Sequence, residues 1–370
     1  LAAFALTMKA RAGQRRFFDK GVTPNICVLE DIRFDEDELE NYMDFAGRDL
    51  FTFPLLTTLR QFEDAKNFGS LIRPAITDAD DILRILTSKN ASGDLYLNPT
   101  HEKALRALRQ ADYLSPKYHV VIANPPYMGG GGMNEQLKDW VKKNYPASKA
   151  DLFAMFIERN LDLVQKHGAV AMITMQSWMF LSSFEALRER LLGQNTLLSM
   201  AHLGARAFDS IGGDVVSTTA FVLENACKPK HQGGYIRLVE GNSESEKENA
   251  IREAVKNPDC GWFYRVSAAD FKKIPGSPIA YWIKKNVVSL FSSARRFENI
   301  GRTRRGLQTG DAGRFIRGWH EVSWGRIGRN LTKEEAANSG FKWFLFNSGG
   351  TFRKWYGNIE DIVNWKANGE

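Results

Sequence analysis

The sequence predicts an α/β protein: a doubly wound sheet with helices around it, followed by a mostly β region. Two patterns carry this. Between Tyr118 and Leu223, short apolar runs alternate with stretches of helical period. After about Asn225 the long helical periods stop, and glycine, tryptophan and arginine mix instead. A chain of 370 residues is long enough for two domains. The boundary is expected at 228/229, between Lys228 and the linker-like text up to Gly233-Gly234.

The elements follow in order. Leu1 to Phe18 reads as a helix, with Leu1, Ala5, Met8 and Ala12 on one side. Ile26 to Leu29 is a short apolar run ending in Glu30-Asp31, expected as a buried strand. From 34 to about 113 the text is helical and polar and opens with the acids Asp35 to Glu38, so a helical insertion packing on the sheet is expected. Tyr118 to Ala123 is a continuous apolar run, the signature of a central parallel strand. Phe153, Phe156, Ile157, Leu161 and Val164 form a helical stripe, with Gly168 as its expected C-cap. Ala169 to Met175, Leu197 to Leu203 and Val215 to Leu223 read as strands, and Ser183 as the cap of a helix running to Leu192.

Composition narrows the function. Three cysteines, Cys27, Cys227 and Cys260, are widely spaced and form no C-x-x-C pair, which points to a reducing, cytoplasmic setting without a disulfide framework. Six histidines include no metal-type spacing, so no metal is expected. No apolar run approaches the roughly 20 residues that span a bilayer, so no membrane partner is expected. Lys9 and Arg11 follow the first apolar residues instead of preceding them, unlike a signal peptide. The opening at Leu1, inside a stretch of helical text, reads as that of a fragment. A net charge of +7 suits a polyanionic partner.

The informative text is Asn124-Pro125-Pro126-Tyr127, which ends the Tyr118–Ala123 run ahead of the glycines 129–132. Open α/β sheets bind ligands outside the carboxyl ends of their strands. There the Asn124 side-chain oxygen and the Pro125 carbonyl form two neutral acceptors, and prolines fix φ while adding no competing N–H. Two such acceptors suit the exocyclic amine of adenine, whose lone pair is delocalised into the ring. Bonding both N–H groups favours a tetrahedral nitrogen able to attack a sulfonium methyl. Tyr127 offers a ring for the base, with stacking worth about 1–3 kcal/mol, and the base must first leave the duplex. The bland alternative is a rigid turn that exposes an aromatic.

These residues match the catalytic motif of amino-group DNA methyltransferases. The longer text Asn124 to Gly131, with Ala150 to Phe153, Met172 to Met179, Gly306 to Asp311 and Gly349 to Asn358, resembles the adenine-specific methyltransferases of BREX phage-exclusion systems, the PglX type. The resemblance implies a class I methyltransferase-like sheet, S-adenosylmethionine as donor, and N6-adenine methylation of double-stranded host DNA. It also implies other BREX components as partners. A donor-binding strand and glycine loop are implied ahead of Leu1, so residues 1–228 are expected to be the C-terminal part of a catalytic domain. Glu30 and Asp31 would then lie near the donor adenine.

Between Arg295 and Arg329 stand nine Arg, no Lys and three acids, so most of the net charge sits in a tenth of the chain. Arginine adds planar, bidentate contacts to guanine edges and phosphates. Arg302, Arg304, Arg305, Arg314 and Arg317, extended by Arg353 and Lys354, are the expected DNA-binding residues. The resemblance places a target-recognition domain over 229–370. The competing reading is a methyltransferase-like module that holds DNA without methylating it.

Overall fold

A computed structural model describes the chain except residues 1, 48–51, 77, 92, 116–117, 210–215, 296, 302–306, 308, 356 and 367–370. It divides into two units, Leu1–Ala294 and Arg295–Glu370. The division falls well beyond the expected 228/229. Residues 232–237 and 263–267 are strands of the first sheet, so the glycines read as a linker lie inside it.

The first unit opens with α1 (Ala2–Gly13), shorter than expected and without buried residues. A single 3-10 turn at Phe18–Lys20 ends at Gly21, whose φ of 60° suits glycine. The predicted strand at 26–29 is a correction: residues 22–35 carry no regular secondary structure, and Val28 is 71% exposed. A strand needs a ladder partner for its N–H and C=O groups, and among the described residues none pairs with this segment.

The helical insertion is present, as α2 (Glu36–Ala46), α3 (Thr52–Gln61), α4 (Ala65–Phe68), α5 (Ala79–Ser88) and α6 (Leu97–Tyr113). Glu36, Asp37 and Glu38 crowd the first turn of α2, where the helix dipole favours anions. Glu38 also accepts from Asp35 N at 3.2 Å and pairs with Lys103 at 2.8 Å. The insertion has its own core, centred on Tyr42, Leu59, Phe62, Leu105 and Leu108. Buried Arg159 ties it to the sheet by donating to the carbonyls of Ser70 (2.8 Å) and Leu114 (2.6 Å).

The sheet follows, with β1 (Tyr118–Ala123), α7 (Glu135–Asn144), α8 (Leu152–Leu163), β2 (Val164–Met175), α9 (Glu185–Gln194), β3 (Thr196–Gly204) and β4 (Thr218–Glu224). It is completed by β5 (Gln232–Arg237), α10 (Glu244–Lys256), β6 (Phe263–Ser267), α11 (Ala268–Phe271) and α12 (Lys285–Ser293). Strand order is β1-β2-β4-β3-β5-β6. β1 runs parallel to β2 and β3 parallel to β5, while β4 and β6 are antiparallel to their neighbours. The α/β class holds, with a mixed sheet in place of a parallel one. β1, expected as a central strand, lies at the sheet edge, where Ile122 is 79% exposed.

Alternation along the strands sorts the two faces. Val121, Ala123, Val170 and Met172 pack with Phe153, Ile157, Leu187 and Leu191 of α8 and α9. Ile122, Ala171, Ile173, Ala220, Val222 and Ile236 line an open groove on the other face. Gly168 is no helix cap, because α8 ends at Leu163 and passes straight into β2. A Cβ there would lie 2.6 Å from the His119 carbonyl, so glycine allows β1 and β2 to approach. Nor does Ser183 cap α9, which starts at Glu185 after a 3-10 turn.

The second unit contains α13 (Ala312–Phe315), β7 (Ile316–Gly318), β8 (Ile327–Gly328), α14 (Lys333–Asn338), β9 (Trp343–Phe346) and β10 (Asp361–Asn364). Its sheet order is β7-β10-β9-β8.

Candidate active site

β1 delivers the Asn124–Tyr127 turn to the carboxyl edge of the sheet. Asn124 is exposed, Pro125 buried, Pro126 exposed and Tyr127 half-buried. Asn124 also lines the end of the groove on the open sheet face, a volume of about 740 Å³. The Tyr127 hydroxyl donates to Asn124 Oδ1 across 3.4 Å, longer than a strong bond, and that oxygen keeps a second lone pair. The Tyr127 ring stands edge-on to buried Phe153, with centroids 6.1 Å apart at 87°. Burial pushes the Tyr127 phenol above its usual pKa, so at neutral pH it remains a neutral donor.

The turn is fastened from the far side by the start of α8. Asp151 is the N-cap of that helix, and its Oδ1 accepts from Phe153 N at 3.3 Å. The same oxygen accepts from Met128 N at 3.0 Å, one residue past Tyr127. Leu152 N returns a bond to Met128 O at 3.1 Å, and Gly129 bridges Asp151. Burial pushes the Asp151 carboxyl up, against the pull of the Met128, Phe153 and Leu152 N–H groups. Within the glycine loop, Gly130 and Gly131 face open space, whereas a Cβ on Gly132 would meet Met128 Cγ at 2.9 Å.

Farther along the same rim, β2 ends beside a polar trio, with His202 and Tyr281 buried and Gln176 half-buried, that the sequence did not reveal. His202 Nε2 lies 2.6 Å from Gln176 Oε1 and its Nδ1 lies 3.0 Å from the Tyr281 hydroxyl. A neutral ring protonated at Nε2 satisfies both contacts. Burial, aided by Arg237 and Lys247, pushes the His202 pKa down to about 4. Phe180 sits against His202 and Trp282 at 6.0 and 5.6 Å, and Trp178 is buried. Phe208 is half-buried.

The donor-side expectations fare differently. Asp31 Oδ1 accepts from Lys66 N at 2.8 Å. Glu30 faces Arg106 at 3.9 Å, and its backbone N–H donates to Gln110. Neither carboxylate stands at a strand end, so neither is brought to the Asn124 rim by the sheet. At the reacting end the residues fit a sulfonium donor better: Asn124 and Pro125 bring acceptors and no cation.

Of the expected DNA-binding residues, Arg302, Arg304 and Arg305 lie outside the described residues. Arg314 is exposed, with its guanidinium 5.1 Å from the Phe315 ring centre. Arg317 is half-buried and donates to the carbonyls of Gly313 (2.5 Å) and Ile316 (2.6 Å). Arg353 and Lys354 are exposed in the β9–β10 connection, between Phe352 (90% exposed) and Trp355 (88%). Trp319 and Trp324 also remain about half exposed, and Arg329 lies 4.3 Å over Trp324. Among the described residues no helix is long and apolar enough to cross a membrane.

Comparison with known proteins covers the segment that holds the turn. Residues 55–208 match the Eco57I restriction-modification methylase family. The chain is 41% identical, over all of its length, to 31% of the adenine-specific methyltransferase PglX of Lacticaseibacillus casei (strain Zhang). It is 38% identical, again over its full length, to 32% of the adenine-specific methyltransferase BrxX of Escherichia coli O9:H4 (strain HS). The type II restriction enzyme and methyltransferase RM.Eco57I of Escherichia coli is 24% identical over 42% of this chain and 16% of its own. The chain thus spans about a third of the length of PglX and BrxX. Residues 55–208 thus match an Eco57I-type methylase model, within a chain that aligns over its whole length with about a third of PglX and of BrxX.

Proposed function

We propose that this chain supplies the base-gripping part of a DNA adenine-N6 methyltransferase that marks host DNA in a BREX-type phage defence. One observation carries the reading. The Asn124 carboxamide stands exposed at the carboxyl end of β1, its oxygen only weakly engaged and beside an open groove. Asn124 Oδ1 and the Pro125 carbonyl accept the two N–H bonds of an extruded adenine, and Tyr127 stacks on its ring. S-adenosylmethionine supplies an electrophilic methyl. The amine nitrogen forms the new bond as the sulfur–methyl bond breaks, and its surplus proton leaves to solvent. Positioning does most of the work, and no covalent enzyme intermediate is needed.

Arg314, Arg353 and Lys354 of the second unit, with Arg302, Arg304, Arg305 and Arg317, bind the duplex as a target-recognition surface within 295–370. Their exposure and charge support this role for the first three. Other BREX proteins are its partners, a reading supported by the names of the relatives alone. A second reading, a module that holds DNA without transferring methyl groups, is favoured by the engagement of Glu30 and Asp31 away from the rim.

The test uses the protein with its native flanking sequence, labelled donor and plasmid DNA. Asn124→Ala removes one of two transition-state acceptors and is expected to lower kcat by about 10²–10³-fold, with DNA affinity nearly unchanged. Loss of both together, or label on a base other than adenine, would refute the assignment.

A further inference from the structure

The role of Asp151 goes beyond capping a helix. We infer that it is a positioning residue that holds the Asn124–Tyr127 turn in its working place by bonding the Met128 N–H. This inference rests on the function proposed above.

Three observations converge on the same few atoms. One carboxylate oxygen serves both the helix start, through Phe153 N at 3.3 Å, and the turn, through Met128 N at 3.0 Å. The backbone reciprocates, since Leu152 N donates to Met128 O and Gly129 bridges Asp151. The next residue but one, Phe153, is fully buried and sets the tilt of the Tyr127 ring. The stacking ring and the residue after it are thus both referred to the first turn of α8. That turn is a rigid part of the main core through Phe153, Ala154 and Ile157. Without this link, the 124–128 segment has the glycine run 129–132 on one side and β1, an edge strand, on the other.

The chemistry makes the link consequential. Acceptors that shape an amine for attack must meet both N–H directions, and a displacement of about 1 Å at a reacting centre can cost about 10²-fold in rate. A charged acceptor on a backbone N–H also makes a stronger bond than a neutral one. Capping alone does not call for aspartate here, because serine caps about as well. Reaching Met128 N from the same position requires the longer side chain.

That difference in reach gives the experiment. Asp151→Ser keeps a cap oxygen for Phe153 N but is too short to hold Met128, whereas Asp151→Asn keeps an oxygen in nearly the same place. Both are made in the protein with its native flanking sequence, next to wild type and Asn124→Ala. Expected for Asp151→Ser is a kcat lower by about 10²-fold, with KM for DNA within a few-fold and thermal midpoint close to wild type. Amide exchange in 124–129 should speed up by about tenfold or more, as for loss of one bond to a charged acceptor. Asp151→Asn should recover most of both signals. The inference is overturned if Asp151→Ser keeps wild-type kcat, if exchange in 124–129 is unchanged, or if Asp151→Asn is as impaired as Asp151→Ser. Exchange is read without any turnover. A wild-type protein that transfers no methyl would therefore refute the proposed function while the Asp151 link is still decided.

Discussion

Lowering the pH should loosen the first unit in part through His202. Its ring is 4% exposed and bridges Gln176 and Tyr281, with Arg237 and Lys247 adding repulsion to any charge. The folded pKa is about 4, against an unfolded value of 6.5. Between those values the unfolded chain holds a proton that the folded one does not, so acid favours unfolding. The contribution is whole above pH 6.5 and fades as pH falls toward 4. A shift of this size amounts to about 3 kcal/mol in all, of which about 2 kcal/mol is lost by pH 5. Urea unfolding of wild type and His202→Gln, followed between pH 7.5 and 4.5, isolates the effect. The variant should be less stable at pH 7.5, since glutamine reaches only one of the two partners. Its stability should fall less steeply with acid, the difference between the curves shrinking by about 2 kcal/mol at pH 5. Burial also lowers His101, but that term is common to both proteins and cancels. Parallel curves would refute the assignment of a neutral, depressed His202.

Two further outcomes follow from buried and exposed arginines. Arg188 is 1% exposed and donates to the carbonyls of Trp178 (2.9 Å), Leu181 (2.6 Å) and Gly276 (2.7 and 3.0 Å), so Arg188→Met takes the side-chain donor from all three, of which Leu181 O keeps a backbone donor, Phe184 N at 3.1 Å. The expected loss is about 3 kcal/mol, read as a shift in the urea midpoint at constant m. In DNA binding, Arg353→Ala with Lys354→Ala should flatten the dependence of log affinity on log salt by about 0.9 per lost phosphate contact. Arg317→Ala should change it less, because that guanidinium already serves Gly313 and Ile316. Equal slopes for the two sets would remove the β9–β10 connection from the interface.

Much of the fold and of the candidate site was legible because both are written in local chemistry. A six-residue apolar run predicted β1, and the tetrapeptide that follows it carries its own geometry through two fixed φ angles. The helical insertion was legible from its length, its polarity and the acids at Asp35 to Glu38. The strands at 169–175 and 197–203 lie where periodicity placed them. The apolar run at 26–29 failed for a reason local text does not contain. A strand exists only beside a partner, and here none is at hand among the described residues.

The misplaced boundary shows the same limit from the other side. Gly233-Gly234 after Lys228-Pro229-Lys230 looks like a linker because glycine is read as freedom. In the sheet it marks the opposite, since a Cβ on Gly233 would lie 2.5 Å from the Leu197 carbonyl and 3.0 Å from the Tyr235 hydroxyl. Glycine stands there because β5 presses against β3 too closely for any side chain. His202 and Tyr281 are 79 positions apart, and Asp151 and Met128 are 23 apart. No periodicity links either pair. What signals Asp151 is its place directly before an apolar helical stripe, a cap by position, and only coordinates reveal that the cap oxygen has a second donor. The residues proposed to contact a substrate can be read from a motif, whereas those proposed to hold it still are set by contacts between segments distant in the chain.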